Sequence, residues 1–474
     1  MPYSNIEKKD HYFRTMEEKW DLVNALWGGT DAMRGAGELY LPKFRSEDNE
    51  VYAMRLKTST LYNAYKRSVQ SNVSRLFSSE ITIDGVTDAA MKPLDNVDLR
   101  GRALTEFMAD TVTQAVKYGV SYILIDHPKE DQVGTEFVEA RPYWINIKPT
   151  QTLSVRTQRI LGVETLTHFK YFEQTTNTDA TSIEEFTDLI RSFTLDPITK
   201  IVEFVVYERH QNGGWMITDE GTMDGLTYIP VVAVYGQWKD YMFGDPVLFD
   251  LAEMNIRHWQ SASDQQWVLH FARTPILFGK GLTSIDANTG EEKAIAVGPN
   301  ALVMSGNPES DLRYVEHSGQ AIESGRKDLQ DLQDQMSVIG LDVSVNTPGN
   351  RTATETSINT AQAQSLLRLI AVQTERAIEQ CIWITQDYMG IASEVHVDIN
   401  MEYADTGNTE AMTKIMEMYH AGLVTAQDVL IEAKRRKILR DEQSIEDIEN
   451  DRRRDTSTTE ASGDTNPGED SPAE

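Results

Sequence analysis

Three scarcities narrow the field before any motif is read. One cysteine in 474 residues excludes a disulfide framework and any cysteine-built zinc cluster, and it suits a reducing compartment. Apolar runs are short. None approaches the ~18 residues that a membrane-spanning helix requires, so an integral membrane protein is not expected. Met1 to Arg14 is polar and charged with no apolar core, so no signal peptide is expected either. Positive charge is the third scarcity: 45 Lys plus Arg stand against 74 Asp plus Glu, a formal net charge of −29. A free-standing reader of DNA sequence needs a basic patch, so this balance argues against one. It leaves open a protein that lets nucleic acid pass without holding it.

What is present reads as an α+β chain of two to four structural units. Glu17 to Trp27 carries Trp20, Leu22, Val23 and Leu26 and predicts a helix that stops at Gly28-Gly29, with a loop from Thr30 to Asn49. Arg55 to Phe77 and Arg102 to Tyr118 keep helical apolar spacing. Between 119 and 235 the period shortens. Ser121–Ile125, Trp144–Ile147, Gly162–Phe172, Lys200–Arg209, Trp215–Thr218 and Ile229–Tyr235 predict strands of a modest sheet. Pro246 to Ala272 then predicts a long helix. Thr274 to His317 is β-like around Pro275–Phe278, Ala294–Val297 and Ala301–Met304. Ser318 to Gly340 predicts a helix with a narrow apolar stripe of Ile322, Leu329, Leu332, Met336 and Ile339. A Pro348-Gly349-Asn350 loop leads into a helix from Thr352 to Met389, about 55 Å long at 1.5 Å per residue. A β-segment (Glu394 to Tyr403) and two short helices (Thr409 to Ala421, Thr425 to Leu439) precede an acidic tail expected to be disordered.

The catalytic motifs come up empty. Gly279-Lys280-Gly281-Leu282-Thr283 lacks the upstream glycine and the Lys-Ser/Thr pair of a phosphate loop, and reads as a turn. The run from Asp286 to Glu291 starts like a calcium loop, but Val297 stands where the bidentate Glu belongs. His258 and His270 lie about three turns apart on one helix, too far to share a metal. Cys381, among Ile378, Ile382 and Ile384, reads as a core position. Gly28-Gly29-Thr30 and Gly35-Ala36-Gly37 follow a helix and read as loop flexibility. The islands Lys434–Lys437 and Arg452–Arg454 read as solvated faces.

The remaining signal is architectural: two helices of similar length flank a β-rich excursion and run through a Gly/Pro/Asn loop into a very long third helix. This order resembles that of bacteriophage portal proteins. The similarity is carried by Gly244–Gln266 (GDPVLFDLAEMNIRHWQSASDQQ), Gly325–Met336 (GRKDLQDLQDQM) and Thr352–Thr356 (TATET). Trp27–Arg34 (WGGTDAMR) with Tyr40–Pro42 (YLP) is similar to one portal-like family of tailed phages, formerly a domain of unknown function. It runs from about residue 10 to 440 and rests on the joint order of strings, none of which is a catalytic signature.

The resemblance implies a mainly helical portal fold. A wing (1–243) would be followed by a first stem helix (244–273), a β-rich clip (274–317) and a second stem helix (318–340). A tunnel loop (341–352), a long kinked wing helix (353–393), a C-terminal wing and small helical crown (394–440) and an acidic tail (441–474) would complete it. It further implies a homo-oligomeric ring, usually of twelve subunits, at the portal vertex of a virion capsid, assembled in the host cytoplasm. Double-stranded DNA would pass through the ring during packaging and ejection. The terminase large subunit and head-tail connector or adaptor proteins would dock on the clip, and major capsid and scaffold proteins would surround the ring. No cofactor, metal or membrane is implied. ATP hydrolysis would belong to the terminase, so the chain itself is not expected to be an enzyme.

Twelve helices at roughly 9–10 Å spacing make a circumference of about 110–120 Å and, after subtracting the helix radius, a lumen of roughly 25 Å. A duplex fits it with a thin water layer. Twelve copies at −29 would carry about −350, a field that disfavours phosphate adhesion and lets DNA slide. Asn346, Asn350 and Arg351 of the tunnel loop are expected to face the duplex. Arg326 and Lys327 on the second stem helix are weaker candidates, with intersubunit pairing to Asp328, Asp331 or Asp334 weighing equally. Lys280, Asp286 and Lys293 of the clip are expected at the docking surface. The competing readings are a soluble α+β hydrolase, with Asp126 at a strand end beside His127 as its best carboxylate, and another virion structural protein such as a minor head protein.

Overall fold

The computed structural model describes residues 5–128, 141–178, 184–210, 213–223, 225–273, 276–280, 284–285, 292–293, 308–315, 319–340, 353–399 and 409–425, with Val429 and Ala433. The chain divides into two compact units, 1–400 and 401–474.

The N-terminal helices are cut by backbone conformation more often than their apolar spacing predicts. Helix α1 (His11–Ala36) buries Trp20, Val23 and Leu26, and the Trp20 indole donates to the Tyr118 carbonyl at 3.0 Å. Gly28-Gly29 does not end it. Gly29 takes φ +78°, ψ −155°, open only to glycine, and the helix resumes after this kink. The loop expected from Thr30 therefore starts at a 3₁₀ turn, Gly37–Leu39. The single helix expected over 55–77 is two, α2 (Asn49–Thr58) and α3 (Ala64–Leu76). Between them the Ser59 carbonyl accepts two bonds from the Arg34 guanidinium, 3.1 and 2.9 Å, and Asn63 caps α3 by accepting from the Lys66 amide. After β1 (Thr82–Asp84) and the short α4 (Asp88–Met91), α5 (Leu104–Tyr118) buries Leu104, Phe107, Met108, Val112 and Val116. It ends at Gly119, φ +97°, where a Cβ would sit 2.5 Å from the Asp245 backbone.

Two antiparallel sheets replace the one modest sheet expected. Strands β2 (Val120–Asp126) and β3 (Tyr143–Ile147) belong to the first. The second is a five-stranded meander: β4 (Thr152–Ile160), β5 (Val163–Thr178), β6 (Glu184–Leu195), β7 (Val202–Arg209) and β8 (Trp215–Thr222), in that order. Strand β9 (Val231–Tyr235) returns to β2 and completes the first sheet as β3-β2-β9. Every residue of β2 is buried. A strap formed by residues 6–10 ties the meander to α1: Asp10 N donates to the Leu153 carbonyl at 2.8 Å, and Trp215 Nε1 to Glu7 at 2.5 Å.

After the short pair β10 (Trp238–Asp240) and β11 (Phe243–Gly244) comes α6 (Phe249–Ala272). Strand β12 (Ile276–Lys280) takes in Gly279 and Lys280, and the rest of the expected turn, 281–283, lies outside the described residues. The hairpin pieces β13 (Ser284–Ile285) and β14 (Glu292–Lys293) pair with each other, and β15 (Asp311–Val315) pairs with β12. Helix α7 (Gln320–Ile339) and the 37-residue α8 (Ala353–Met389) follow. Helix α8 packs on the first sheet, burying Ile378, Cys381 and Ile382, and Thr385 accepts the Trp144 indole N–H at 2.9 Å. Strand β16 (His396–Asp398) pairs with β1, and Val397 N within it and Ile399 N just after it donate to Glu379 and Glu375 of α8. The second unit contains α9 (Thr409–His420). The expected strands at 294–297 and 301–304, the loop 341–351, most of the helix at 425–439 and the tail lie outside the described residues. No described helix is long and apolar enough to cross a membrane.

Candidate assembly surface on the paired helices

Helices α6 and α7 pack antiparallel, and polar contacts set their register. The Gln265 amide donates to the Ile322 carbonyl at 2.8 Å, Ser261 reaches Asp328 at 3.4 Å, and Gln333 meets His258 Nε2 at 3.0 Å. Gly325 lies against Gln265, where any Cβ would collide with the amide oxygen. At the far end of the pair the Asn72 side chain donates to the Gly340 carbonyl at 3.2 Å. Of the predicted stripe, Leu332 and Met336 are buried, Ile322 and Leu329 are half-buried, and Ile339 is exposed. Only the C-terminal half of α7 thus reaches a core. Towards its N-terminus a groove of about 620 Å³ opens between the two helices, lined by Tyr62, Gln265, Leu269, Ile322, Leu329 and Gln333 among others.

The outer face of α7 is a ladder of mixed charge. Within its own chain Arg326, a channel candidate, forks onto Glu323 at 2.7 and 3.1 Å. With both side chains mostly exposed, this pair is a screened surface contact. It holds the Glu323 carboxyl below its ordinary pKa, to which Lys327 adds its field. Asp328 faces α6, where Arg257 approaches to 3.8 Å. Burial lowers the pKa of His258, and Tyr62 lies against its ring at 5.3 Å.

Among the docking candidates, Lys280 is exposed at the end of β12, opposite Asp311 in register, and Lys293 pairs with Ser284 in the β13–β14 ladder. Asp286, Asn346, Asn350 and Arg351 lie outside the described residues. The structure places Arg326 and Lys327 at consecutive, exposed positions of α7.

A buried ionic node that the sequence reading missed ties α2 to α6. Arg55 Nε reaches Glu47 at 2.8 Å, both side chains being under 5% exposed, and Arg55 also contacts Pro42 O, Ser263 and Asp264. The guanidinium is stacked 4.3 Å over the Phe44 ring. Its partners are up to 209 residues away, so no local spacing could have announced it.

The rival catalytic carboxylate is occupied. Asp126 accepts from Arg191 at 2.9 Å and from the Tyr143 hydroxyl at 3.3 Å, and His127 stacks on Tyr388 at 6.0 Å with its Nδ1 on the Pro128 carbonyl. Asp126 is thus paired with a nearby base, a structural role for a strand-end carboxylate. It borders a polar cleft of about 420 Å³ lined by Arg100, Arg102, Lys148, Asp98, Asp110 and Glu173 among others. Among the described residues no group of three or more His, Cys, Asp or Glu could hold a metal ion.

Comparison with known proteins gives two kinds of likeness. A family described as "Domain of unknown function (DUF4055)" matches residues 247–389, the stretch from α6 through α8. Among solved structures the chain is similar to a chain of the neck of an empty GTA particle computed with C6 symmetry. Identity is 12% over 76% of this chain and 87% of that one, with a TM-score of 0.44. It is likewise similar to a chain of the neck of a native GTA particle computed with C12 symmetry, at 12% identity over 77% and 88%, with a TM-score of 0.41. No curated protein matches.

Proposed function

We propose that this chain is a structural subunit of a tailed-phage-like virion, and specifically a portal subunit. In that role it would assemble into a ring whose channel conducts double-stranded DNA during packaging and ejection. The observation that supports the reading most directly is the antiparallel α6–α7 pair. The two helices flank the β12–β15 lobe, and α7 is followed by the 37-residue α8. The N-terminal half of α7 buries no side chain fully and presents a charge ladder that a row of identical neighbours could line.

In this reading residues 1–243 form the wing, 244–273 and 318–340 the stem, 274–317 the clip and 341–352 the tunnel loop. Residues 353–393 are the long wing helix, and 394–440 with the tail close the C-terminal side. Asn346, Asn350 and Arg351 face the duplex, with Arg326 and Lys327 flanking them. Lys280, Asp286 and Lys293 meet the terminase or the adaptor. The protein performs no chemistry itself; the channel's contribution is geometry and an acidic wall that phosphate does not adhere to.

Electron microscopy of the purified chain tests the reading. Closed rings with a lumen of roughly 25 Å are expected. Monomers or dimers under every condition, including co-expression with capsid and scaffold proteins, would overturn it. A packaging assay tests the channel residues: Arg351→Glu and a loop shortened between Asn346 and Asn350 should both fill heads poorly. Wild-type filling by both removes those residues from the channel wall.

A further inference from the structure

The two most exposed large apolar side chains among the described residues are Leu161, 93% exposed, and Ile198, 90%. They lie on adjacent hairpin tips at one end of the five-stranded meander. The β4–β5 hairpin closes at Ile160 opposite Val163, and the β6–β7 hairpin at Leu195 opposite Val202. Because β5 is the neighbour of β6, both tips share one end of the sheet. Val163 (66% exposed) and Ile201 (46%) widen the patch.

Neither tip is loose. Leu161 and Gly162 both take positive φ, +51° and +87°, the signature of a type I′ turn in which Asn, Asp or Gly is the favoured first residue. A leucine there accepts backbone strain to project an aliphatic side chain into water. On the second tip, Asp196 accepts from the amides of Ile198 at 2.8 Å and Thr199 at 3.4 Å, which fixes the turn that carries Ile198.

A second patch of the same kind occupies the segment 37–58. It consists of Leu39 (69% exposed), Phe44 (46%) and Met54 (54%). The segment is held by Tyr52 Oη donating to the Leu41 carbonyl at 3.0 Å and by Arg55 donating to the Pro42 carbonyl at 2.8 Å. Its packing partner is α6, whereas the meander packs on α1 and the strap, so the two patches belong to different parts of the first unit.

Charge identifies the occupant. Copies of a chain carrying −29 repel one another, and they can touch closely only where charge is locally balanced. The two hairpins carry Arg156, Arg159 and Lys200 beside Glu164, Asp196 and Glu203, with Arg159 and Glu164 3.7 Å apart. Segment 37–58 carries Lys43, Arg45 and Lys57 beside Glu38, Asp48 and Glu50, the Arg55–Glu47 pair being buried. Both patches are thus apolar centres with neutral rims in an acidic chain. Two different patches on one chain are what a head-to-tail contact requires, and repetition of such a contact builds a ring where its rotation closes and a filament where it does not. The tip patch exposes on the order of 500 Å², less than the ~800 Å² per partner of a free-standing complex. It fits a contact that is weak in a pair and effective when repeated around a closed assembly.

We propose that the hairpin tips at Leu161 and Ile198 dock on the Leu39–Phe44–Met54 patch of a second copy of this chain. The proposal rests on the ring reading above and adds the surfaces that hold neighbouring copies together. The double variant Leu161→Asn, Ile198→Thr tests it by sedimentation and mass photometry. Asn suits the left-handed turn, so thermal stability should be kept or raised while the association constant falls at least tenfold. Independently, Ile198→Cys with Met54→Cys should give a covalent ladder of multimers on oxidation of assembled protein. The native Cys381 is buried and stays silent. Association equal to wild type in the double variant, or rings without a ladder in the cysteine pair, overturns the docking proposal and leaves the ring reading standing. A wild-type chain that remains monomeric at all concentrations, alone and with its assembly partners, overturns the ring reading itself.

Discussion

Arg55 and Lys117 show two opposite ways of burying a cation. Arg55 is matched: Glu47 takes a bidentate fork, and Phe44 covers the guanidinium. Removing one partner strands the other charge, so Arg55→Met should lower unfolding free energy by about 3–5 kcal/mol, read by urea denaturation. The hydrogen bond from Arg55 holds the Glu47 carboxyl below its ordinary pKa, against the opposing effect of burial. That stabilisation is therefore present above the unfolded carboxylate range and is lost as pH falls through the lower folded value. Lys117 forms no ion pair among the described residues. It is 3% exposed, its ammonium lies 4.3 Å over the Trp27 ring, and it donates to the Tyr118 hydroxyl at 3.3 Å. Burial first, then the field of Lys148, partly offset by Asp110 and helped slightly by Lys66, brings its pKa down to about 8. The unfolded chain thus binds the extra proton more readily between pH 8 and the ordinary lysine value, so stability rises with pH through that window. Lys117→Met should raise stability at pH 7 by about 1–3 kcal/mol and flatten this rise. Equal pH slopes for variant and parent between pH 8 and 10 would refute the assignment.

At the scale of elements, the contact of α6 with α7 depends on a residue without a side chain. Gly325 lets Gln265 reach the Ile322 carbonyl. Gly325→Leu would displace that amide, break the inter-helix hydrogen bond and overpack the contact, at a cost of about 1–3 kcal/mol. Hydrogen exchange should accelerate over 320–330 while protection in β2 stays unchanged. Elements with strong local periodicity were legible before the structure: 102–118, 246–272, 318–340 and 352–389 fall within a few residues of α5, α6, α7 and α8. What was not legible depends on partners distant in sequence. Leu61 and Tyr62 preserve helical spacing across 59–63, yet the chain breaks there because Arg34 takes the Ser59 carbonyl and Asn63 caps α3. Strands β4 and β6 are rich in Thr, Ser, Arg and Glu, and they form because β5 offers both edges at once. Of the candidate site, the helices that carry Arg326 and Lys327 could be read in advance. The Glu323 fork could have been suggested by its three-residue spacing, whereas the Arg55 node could not be foreseen.

Over the whole molecule, charge makes a prediction that composition alone would misread. Chains at −29 should associate more readily as salt screens their repulsion, since the Debye length falls from about 10 Å at 0.1 M to about 3 Å at 1 M. A DNA-binding ring held to its ligand by phosphate contacts would behave oppositely, losing affinity for duplex as counterion release weakens. The two slopes can be measured on one preparation. Sedimentation across 50–500 mM salt should show ring population increasing, and duplex retention on the same rings should stay weak and nearly independent of salt. Retention that is strong at 50 mM and falls steeply by 200 mM would mean several phosphates are gripped at once. The acidic wall would then be a surface around a basic seam, and DNA would move by release from successive contacts and not by sliding past a wall that repels it.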